Sequence, residues 1–159
     1  MKTQKNLIKS LSLIVFVLIV AISCDNRPTA PIEGTTHKNH SLLLGTWENK
    51  TSSYTETYIY SYGKFDGGSY KMNVGMIIWS SDTSGIIYGK YTENSYYKDV
   101  VVGKYYAVSF KDLTESSISI SGAYKQNGKT GTATLEEAIR EFTIDDEYFG
   151  IYSACERKQ

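Results

Sequence analysis

Cysteine, proline and histidine are scarce in this chain, with two of each among 159 residues. With only Cys24 and Cys155, the sequence cannot build a disulfide-rich scaffold, so its domain must be held together by packing. Both histidines precede residue 41, so a nucleophilic serine or cysteine in the rest of the chain lacks its usual base. The motifs Gly-x-Ser-x-Gly and His-Glu-x-x-His and the glycine-rich phosphate loop are also absent from the sequence. We therefore expect neither an enzyme nor a bound cofactor.

The sequence also has no basic run and no long hydrophobic run. The apolar stretch from Leu11 to Ile22 is shorter than the ~20 residues that a membrane-spanning helix needs. It follows Lys2, Lys5 and Lys9, and this order of positive charge and apolar residues is typical of a secretion signal. Removing the signal removes those three lysines but none of the 17 acidic residues, which leaves a net charge of −3. A weakly acidic domain argues against nucleic acid as a partner.

The end of this stretch, Ala21-Ile22-Ser23-Cys24, resembles a bacterial lipobox. In that motif a small residue precedes the cleavage point, and the cysteine thiol accepts the lipid. The resemblance implies a signal peptide over residues 1–23 and a mature lipoprotein that begins at Cys24, with acyl chains such as palmitate holding it in a membrane. An uncleaved anchor and an ordinary secretory signal are the alternatives. We expect a bacterial cell-envelope protein on the non-cytoplasmic side of a membrane, either inner or outer.

The next segment, residues 24–41, contains both prolines and few apolar residues, which predicts a flexible tether. It carries His37 and His40. Two histidines three residues apart could share a metal ion, but no cysteine or carboxylate cluster accompanies them. We therefore expect a solvated pair and no metal.

From residue 42 to residue 159 the pattern is that of one β domain, with tyrosine, valine, isoleucine and threonine in short alternating runs between turns. One helix is expected over residues 134–142, because Thr134 and Glu137 form a capping box and apolar residues recur at helical spacing. About eight strands predict an all-β fold, an antiparallel up-and-down barrel with the short helix before the last strand; a sandwich is the alternative. The expected strands cover residues 42–50, 53–61, 69–74, 76–80 (separate or continuing past Gly75), 86–92, 104–110, 117–124 and 147–155.

Gly45-Thr46-Trp47, at the start of the first expected strand, resembles the Gly-x-Trp motif that opens the lipocalin (calycin) superfamily. The resemblance implies a barrel in which Gly45 allows a tight start to the strand and Trp47 closes one end. It also implies a basic side chain over Trp47, either Arg157 or Arg140. An ordinary core tryptophan is the alternative. A lipocalin-like barrel further implies a cavity for a small apolar or amphipathic ligand.

Tyrosine is abundant, with 14 residues. Tyr58, Tyr60 and Tyr62 share one face of a strand, where they either fill the barrel or form a contact surface. Tyr96 and Tyr97, in a predicted loop, are the candidate contact residues. Two functions therefore compete for a membrane-anchored monomer. One is binding of a small apolar ligand, and the other is contact with envelope or host proteins through tyrosine-rich loops; a role in envelope stability or as a protease accessory is a third.

Two remaining features favour structural roles. Cys155 is expected to be a buried small apolar residue, because no histidine lies near it in sequence; a reactive thiol is the alternative. The run Asp145-Asp146-Glu147 is expected to be a solvated turn, because it has too few spaced oxygen ligands for a calcium loop.

Overall fold

The computed structural model describes residues 34–94 and 100–159. Eight antiparallel strands pair in sequence order, and the last strand pairs with the first, so the sheet closes into a barrel. A short helix precedes the first strand and another precedes the last. This confirms the predicted all-β barrel with a helix before its final strand. The elements are α1 (His40–Leu43), β1 (Gly45–Lys50), β2 (Thr55–Ser61), β3 (Lys64–Asp66), β4 (Lys71–Trp79), β5 (Gly85–Tyr91), β6 (Tyr105–Lys111), β7 (Ser117–Gly122), α2 (Leu135–Glu141) and β8 (Ser153–Arg157).

The strands differ from the expectation in two places, at residues 64–66, which form a separate short strand, and at the start of the last strand. Residues 71–79 form a single strand, which is the expected alternative of continuation past Gly75. Gly75 lies where the β4–β5 register shifts, a bulge that lets β4 continue with its apolar side chains still facing inward. The last strand begins at Ser153, later than expected, because Tyr148 and Phe149 are buried against α2 instead of pairing in the sheet.

Alternate residues of each strand point into the barrel and form one apolar cluster. On β6 and β7, Val108, Phe110, Ile118 and Ile120 face inward and are buried. Because strands have a period of two, a slip of one residue would place this whole set in water. Burial of such side chains contributes about 1.5–3 kcal/mol each, so the inner face defines the register.

A second cluster lies outside the barrel, between the sheet and α2. Thr134 caps the helix by accepting a hydrogen bond from the Glu137 N–H (3.2 Å), which confirms the predicted helix start. The buried Ala138 and Phe142 pack on Tyr88 and Ala107, which face outward from β5 and β6. Two turns of helix are too short to be stable alone, so this packing holds α2 in place. Among the described residues, no helix is long and apolar enough to cross a membrane.

Candidate functional site

Trp47 lies near the start of β1, at one end of the barrel, and its side chain is 1% exposed. Its indole N–H donates to the carbonyl oxygen of Leu43 in α1 (3.0 Å). The Arg157 guanidinium lies over the indole, with 4.1 Å between the guanidinium carbon and the ring centroid. Of the two arginines that the sequence offered, Arg157 therefore covers Trp47, whereas Arg140 lies exposed on α2. We call this the tryptophan end of the barrel.

Arg157 also ties three chain segments together at the tryptophan end. Its side chain donates to the carbonyl oxygens of Leu42, Leu44 and Glu115, each at 2.6 Å. Gly45 lies beside it with φ +138°, and a Cβ there would come within 2.6 Å of Arg157 Nη1. Glycine is needed at this position because the guanidinium occupies the space that a side chain would take.

Residues 34–43 pack across the tryptophan end, and we call them the strap. The strap begins at Gly34, whose carbonyl accepts from the Trp79 indole N–H (2.9 Å). The His37 ring stacks on Trp79, with centroids 3.9 Å apart. Asp82, in the β4–β5 turn, pairs with Lys38 (2.6 Å) and lies 3.6 Å from His37 Nε2. Residues 34–41, expected in the flexible tether, thus belong to the same compact unit as the barrel.

The prediction of a solvated histidine pair is wrong for His40. This side chain is 5% exposed, and its Nε2 lies 3.0 Å from the Tyr60 hydroxyl. Burial, followed by the nearby charge of His37, lowers the pKa of His40. The residues that flank His40 in the sequence are polar, but its ring is buried because the strap packs over the end of β2.

The interior at the tryptophan end is filled. The cavity there has a volume of about 10 Å³. That is room for about one water molecule and far below the 300–1,000 Å³ of a typical small-molecule site. Its walls are Leu43, Trp47, Tyr60, Phe65, Ile87, Val108, Phe110, Ile118 and Ile120.

Tyrosine rings fill the interior toward the opposite end. Tyr106 stacks on Tyr91 (5.1 Å between centroids) and meets Tyr70 edge-on (5.3 Å). Burial raises the pKa of Tyr70 and of Tyr106, so both hydroxyls stay protonated. The Tyr106 hydroxyl donates to the Ala123 carbonyl (2.9 Å). These rings contact one another, so they leave little space between them for a ligand.

A polar cluster lies inside the barrel beside these rings. Glu56 accepts hydrogen bonds from Ser153 (2.5 Å), Asn49 (3.2 Å) and Tyr58 (3.3 Å). Cys155 is buried next to this cluster, as predicted, and burial followed by the Glu56 charge raises the pKa of its thiol to about 12. The thiol is therefore protonated and unreactive. The Glu56 carboxylate accepts its hydrogen bonds from Asn49, Tyr58 and Ser153.

The tyrosines of β2 and its following turn divide between core and surface. Tyr60 is buried and Tyr58 is half-buried inside the barrel, but Tyr62 lies beyond the strand end and is 78% exposed. Tyr96, Tyr97 and Cys24 lie outside the described residues.

The described residues that flank the Tyr96–Tyr97 loop carry exposed apolar side chains. We call the barrel end that carries the β1–β2, β5–β6 and β7–β8 connections the loop end; it lies opposite the tryptophan end. The large apolar residues exposed in the described parts of these connections are Tyr54, Val101, Val102, Tyr124, Ile144 and Ile151.

The acidic run lies in a turn between α2 and β8. The Thr143 hydroxyl donates to the Asp146 carboxylate (2.6 Å), and both side chains of Asp145 and Asp146 face solvent. Within residues 34–94 and 100–159, no three histidine, cysteine or carboxylate side chains converge as metal ligands do.

Comparisons of the chain with protein-family models, with curated proteins and with solved structures find no match.

Proposed function

We propose that this protein is a lipocalin-like, lipid-anchored barrel of the bacterial cell envelope that acts without catalysis, through its outer surface, by contacting an envelope or host protein. The observation that carries the proposal is the filled interior at the tryptophan end, where the cavity of about 10 Å³ is too small for a typical ligand; this supports the outer surface as the functional part of the barrel. The anchor is Cys24, on the strength of the lipobox resemblance.

The loop end is the proposed contact surface. Val101 and Val102 are about half exposed there and follow the loop that carries Tyr96 and Tyr97. Tyrosine is enriched at interfaces, because its ring buries a large apolar area and its hydroxyl can form a hydrogen bond; the exposed valines add apolar area beside it. The strap begins at Gly34 at the tryptophan end, so the start of the described chain and the contact surface lie at opposite ends of the barrel.

The test is site-specific photo-crosslinking in membranes. A photoreactive residue at position 102 should capture a discrete partner, and Tyr96→Ala with Tyr97→Ala should reduce that capture several-fold at unchanged thermal stability. A photoreactive residue at Glu136, exposed on the solvent side of α2, is the matched control. Equal capture from both positions, or capture insensitive to the tyrosine pair, contradicts the proposal.

The anchor has a separate test. Cys24→Ser should move the protein from the membrane fraction to the soluble fraction, because thioether attachment of the lipid needs the thiol. Labelled palmitate should be incorporated into the unsubstituted protein alone. Continued membrane retention of the serine variant contradicts the lipobox interpretation without affecting the loop-end proposal.

Binding of a small apolar ligand remains the second candidate, because a closed eight-stranded barrel is compatible with it. A ligand would have to displace rings from the core. Native mass spectrometry of the Cys24→Ser mature chain, with fatty-acid titration of Trp47 and Trp79 fluorescence, tests this. A copurified lipid with saturable quenching would favour the carrier, and neither signal is expected if the surface carries the function.

A further inference from the structure

Both histidines of the chain lie in the strap, and each contacts the barrel through an aromatic side chain. His37 stacks on Trp79 of β4, and His40 meets Tyr60 of β2 edge-on, with 5.7 Å between ring centroids. Lys38 and Asn39 add an ion pair (2.6 Å) and a hydrogen bond (2.9 Å) to Asp82, but neither a lysine nor an asparagine side chain titrates between pH 5 and 8. Imidazole is the side chain that changes charge between pH 5 and 8.

We propose that the strap is a pH-sensitive clamp, held across the tryptophan end when His40 is neutral and released when His40 is protonated. The contact between His40 and Tyr60 is buried, and a charged ring there would lose its hydration. A ring released into water is free to take up a proton, so acidification favours the released strap.

The groups that face His40 do not compensate a positive charge. Tyr60 and Tyr62 face it from β2 and the turn that follows, and burial raises the pKa of Tyr60 to about 12, so that hydroxyl stays neutral. From its own segment His40 faces His37, a second cation at low pH. Arg157, also positive, lies at the same end, where it binds the carbonyls of Leu42 and Leu44. Among the described ion pairs, none joins a carboxylate to His40.

His37 does not reproduce this behaviour. Its Nε2 lies 3.6 Å from Asp82, which is also paired with Lys38. Lys38 lowers the pKa of the Asp82 carboxyl, so Asp82 stays ionised at pH 5 and can accept a charged His37. Protonation of His37 keeps the contact with Asp82 but removes the acceptor of the Asn39 N–H at Nδ1 (3.3 Å), at a ring that is only half-buried. His40 is buried and faces no carboxylate among the described ion pairs, so it is the residue whose protonation opens the strap.

The sign and size of the effect follow from the lowered pKa of His40 in the closed strap. Above about pH 6.5 both states are neutral and the equilibrium does not change. Below that pH the released ring is protonated first, and the ratio of released to closed strap rises by up to about tenfold per pH unit. The rise ends once the closed form is also protonated.

Release would lengthen the tether. At about 3.5 Å per extended residue, the ten residues from Cys24 to Gly34 reach at most roughly 35 Å, and the twenty residues to Leu44 reach roughly 70 Å. This consequence alone rests on the proposed anchor at Cys24. The clamp itself is independent of lipidation and of the loop-end contact.

Hydrogen exchange of the strap in the full chain tests the proposal. The amides of His40, Leu42 and Leu44 donate within the strap, to His37, Asn39 and Ser41, so they report its closure. Their protection factors, corrected for intrinsic exchange, should fall between pH 7.5 and 5.0, by at most about tenfold per pH unit below about pH 6.5, while β6 amides keep theirs. His40→Gln, which keeps a polar group near Tyr60 but cannot titrate, should abolish the pH dependence, whereas His37→Gln should retain it.

Strap protection that is independent of pH in the unsubstituted protein overturns the proposal, as does an unchanged pH dependence in His40→Gln. If His40→Gln opens the strap at every pH, a histidine NMR titration of the unsubstituted protein decides instead. A His40 ring that titrates together with the loss of strap protection supports the clamp. A ring that titrates while protection persists overturns it.

Discussion

Replacing Arg157 with alanine should be the most destabilising change at the surface of the tryptophan end. The guanidinium donates three hydrogen bonds at 2.6 Å to carbonyls of the strap, the residue before β1 and the β6–β7 turn, and it covers Trp47 at 4.1 Å. A hydrogen bond from a charged group contributes about 1.5–3 kcal/mol and a partly desolvated cation–π contact about 1–2 kcal/mol. Water can reach part of this site and the contacts are not additive, so we expect Arg157→Ala to lower the free energy of unfolding by about 3–4 kcal/mol.

Two further variants separate the causes. Arg157→Lys keeps the positive charge but loses the planar guanidinium, which donates to several carbonyls at once. It should therefore lower the free energy of unfolding by about half as much as Arg157→Ala. Arg140→Ala removes the arginine that is exposed on α2, and its effect should stay within about 0.5 kcal/mol. Urea unfolding followed by tryptophan fluorescence measures all three, and Tm should fall by roughly 10–15 °C in Arg157→Ala. A loss below about 1 kcal/mol in Arg157→Ala, or equal losses in Arg140→Ala, would refute the assignment.

Three other outcomes follow from the geometry. Gly34→Ala should detach the start of the strap, because Gly34 has φ +89° and a Cβ would overlap the Ile77 carbonyl; we expect faster amide exchange in the strap and a stability loss of about 1–3 kcal/mol. Cys155 should resist thiol reagents at pH 8 in a variant without the other cysteine and react fully in denaturant, since its pKa is about 12 when folded; rapid native labelling would contradict its burial. Lys129 lowers the pKa of Glu141 below its ordinary value of 4.5, so the stability that this pair contributes is present above about pH 4.5 and is lost as the pH falls through the lower folded pKa. In Glu141→Gln, the free energy of unfolding should therefore fall less steeply between pH 5 and 3 than in the unsubstituted protein. An unchanged pH dependence would show that other carboxylates cause the fall.

Local signals in the sequence were sufficient for α2 and for most strands. The Thr134 cap and the apolar spacing of α2 involve residues within two helical turns, so a short stretch of sequence contains all the residues that form them. The short strand around Phe65 escaped prediction because three residues are too few to show alternation. Residues 147–152 have strand-like composition, but Tyr148 and Phe149 pack in the cluster with α2, and this packing depends on contacts with residues far away in the sequence.

Contacts between distant parts of the chain could not be predicted in the same way. His40 meets Tyr60 and His37 meets Trp79, and neither partner is marked by the polar residues around the histidines. The choice of Arg157 over Arg140 as the cover of Trp47 depends on the pairing of β8 with β1. That pairing exists only once the barrel has closed.

The fold class could be predicted from the sequence, because strand alternation, turn residues and the helix cap are local patterns with local energetics. Tertiary packing was needed to show that the tryptophan end is filled, since the space left inside a closed barrel depends on how side chains from several strands meet. It was also needed to show that residues 34–41 pack on the barrel, because burial of His40 requires the end of β2 to lie beneath it. The physical reason is the same in both cases: packing joins residues that are far apart in the chain.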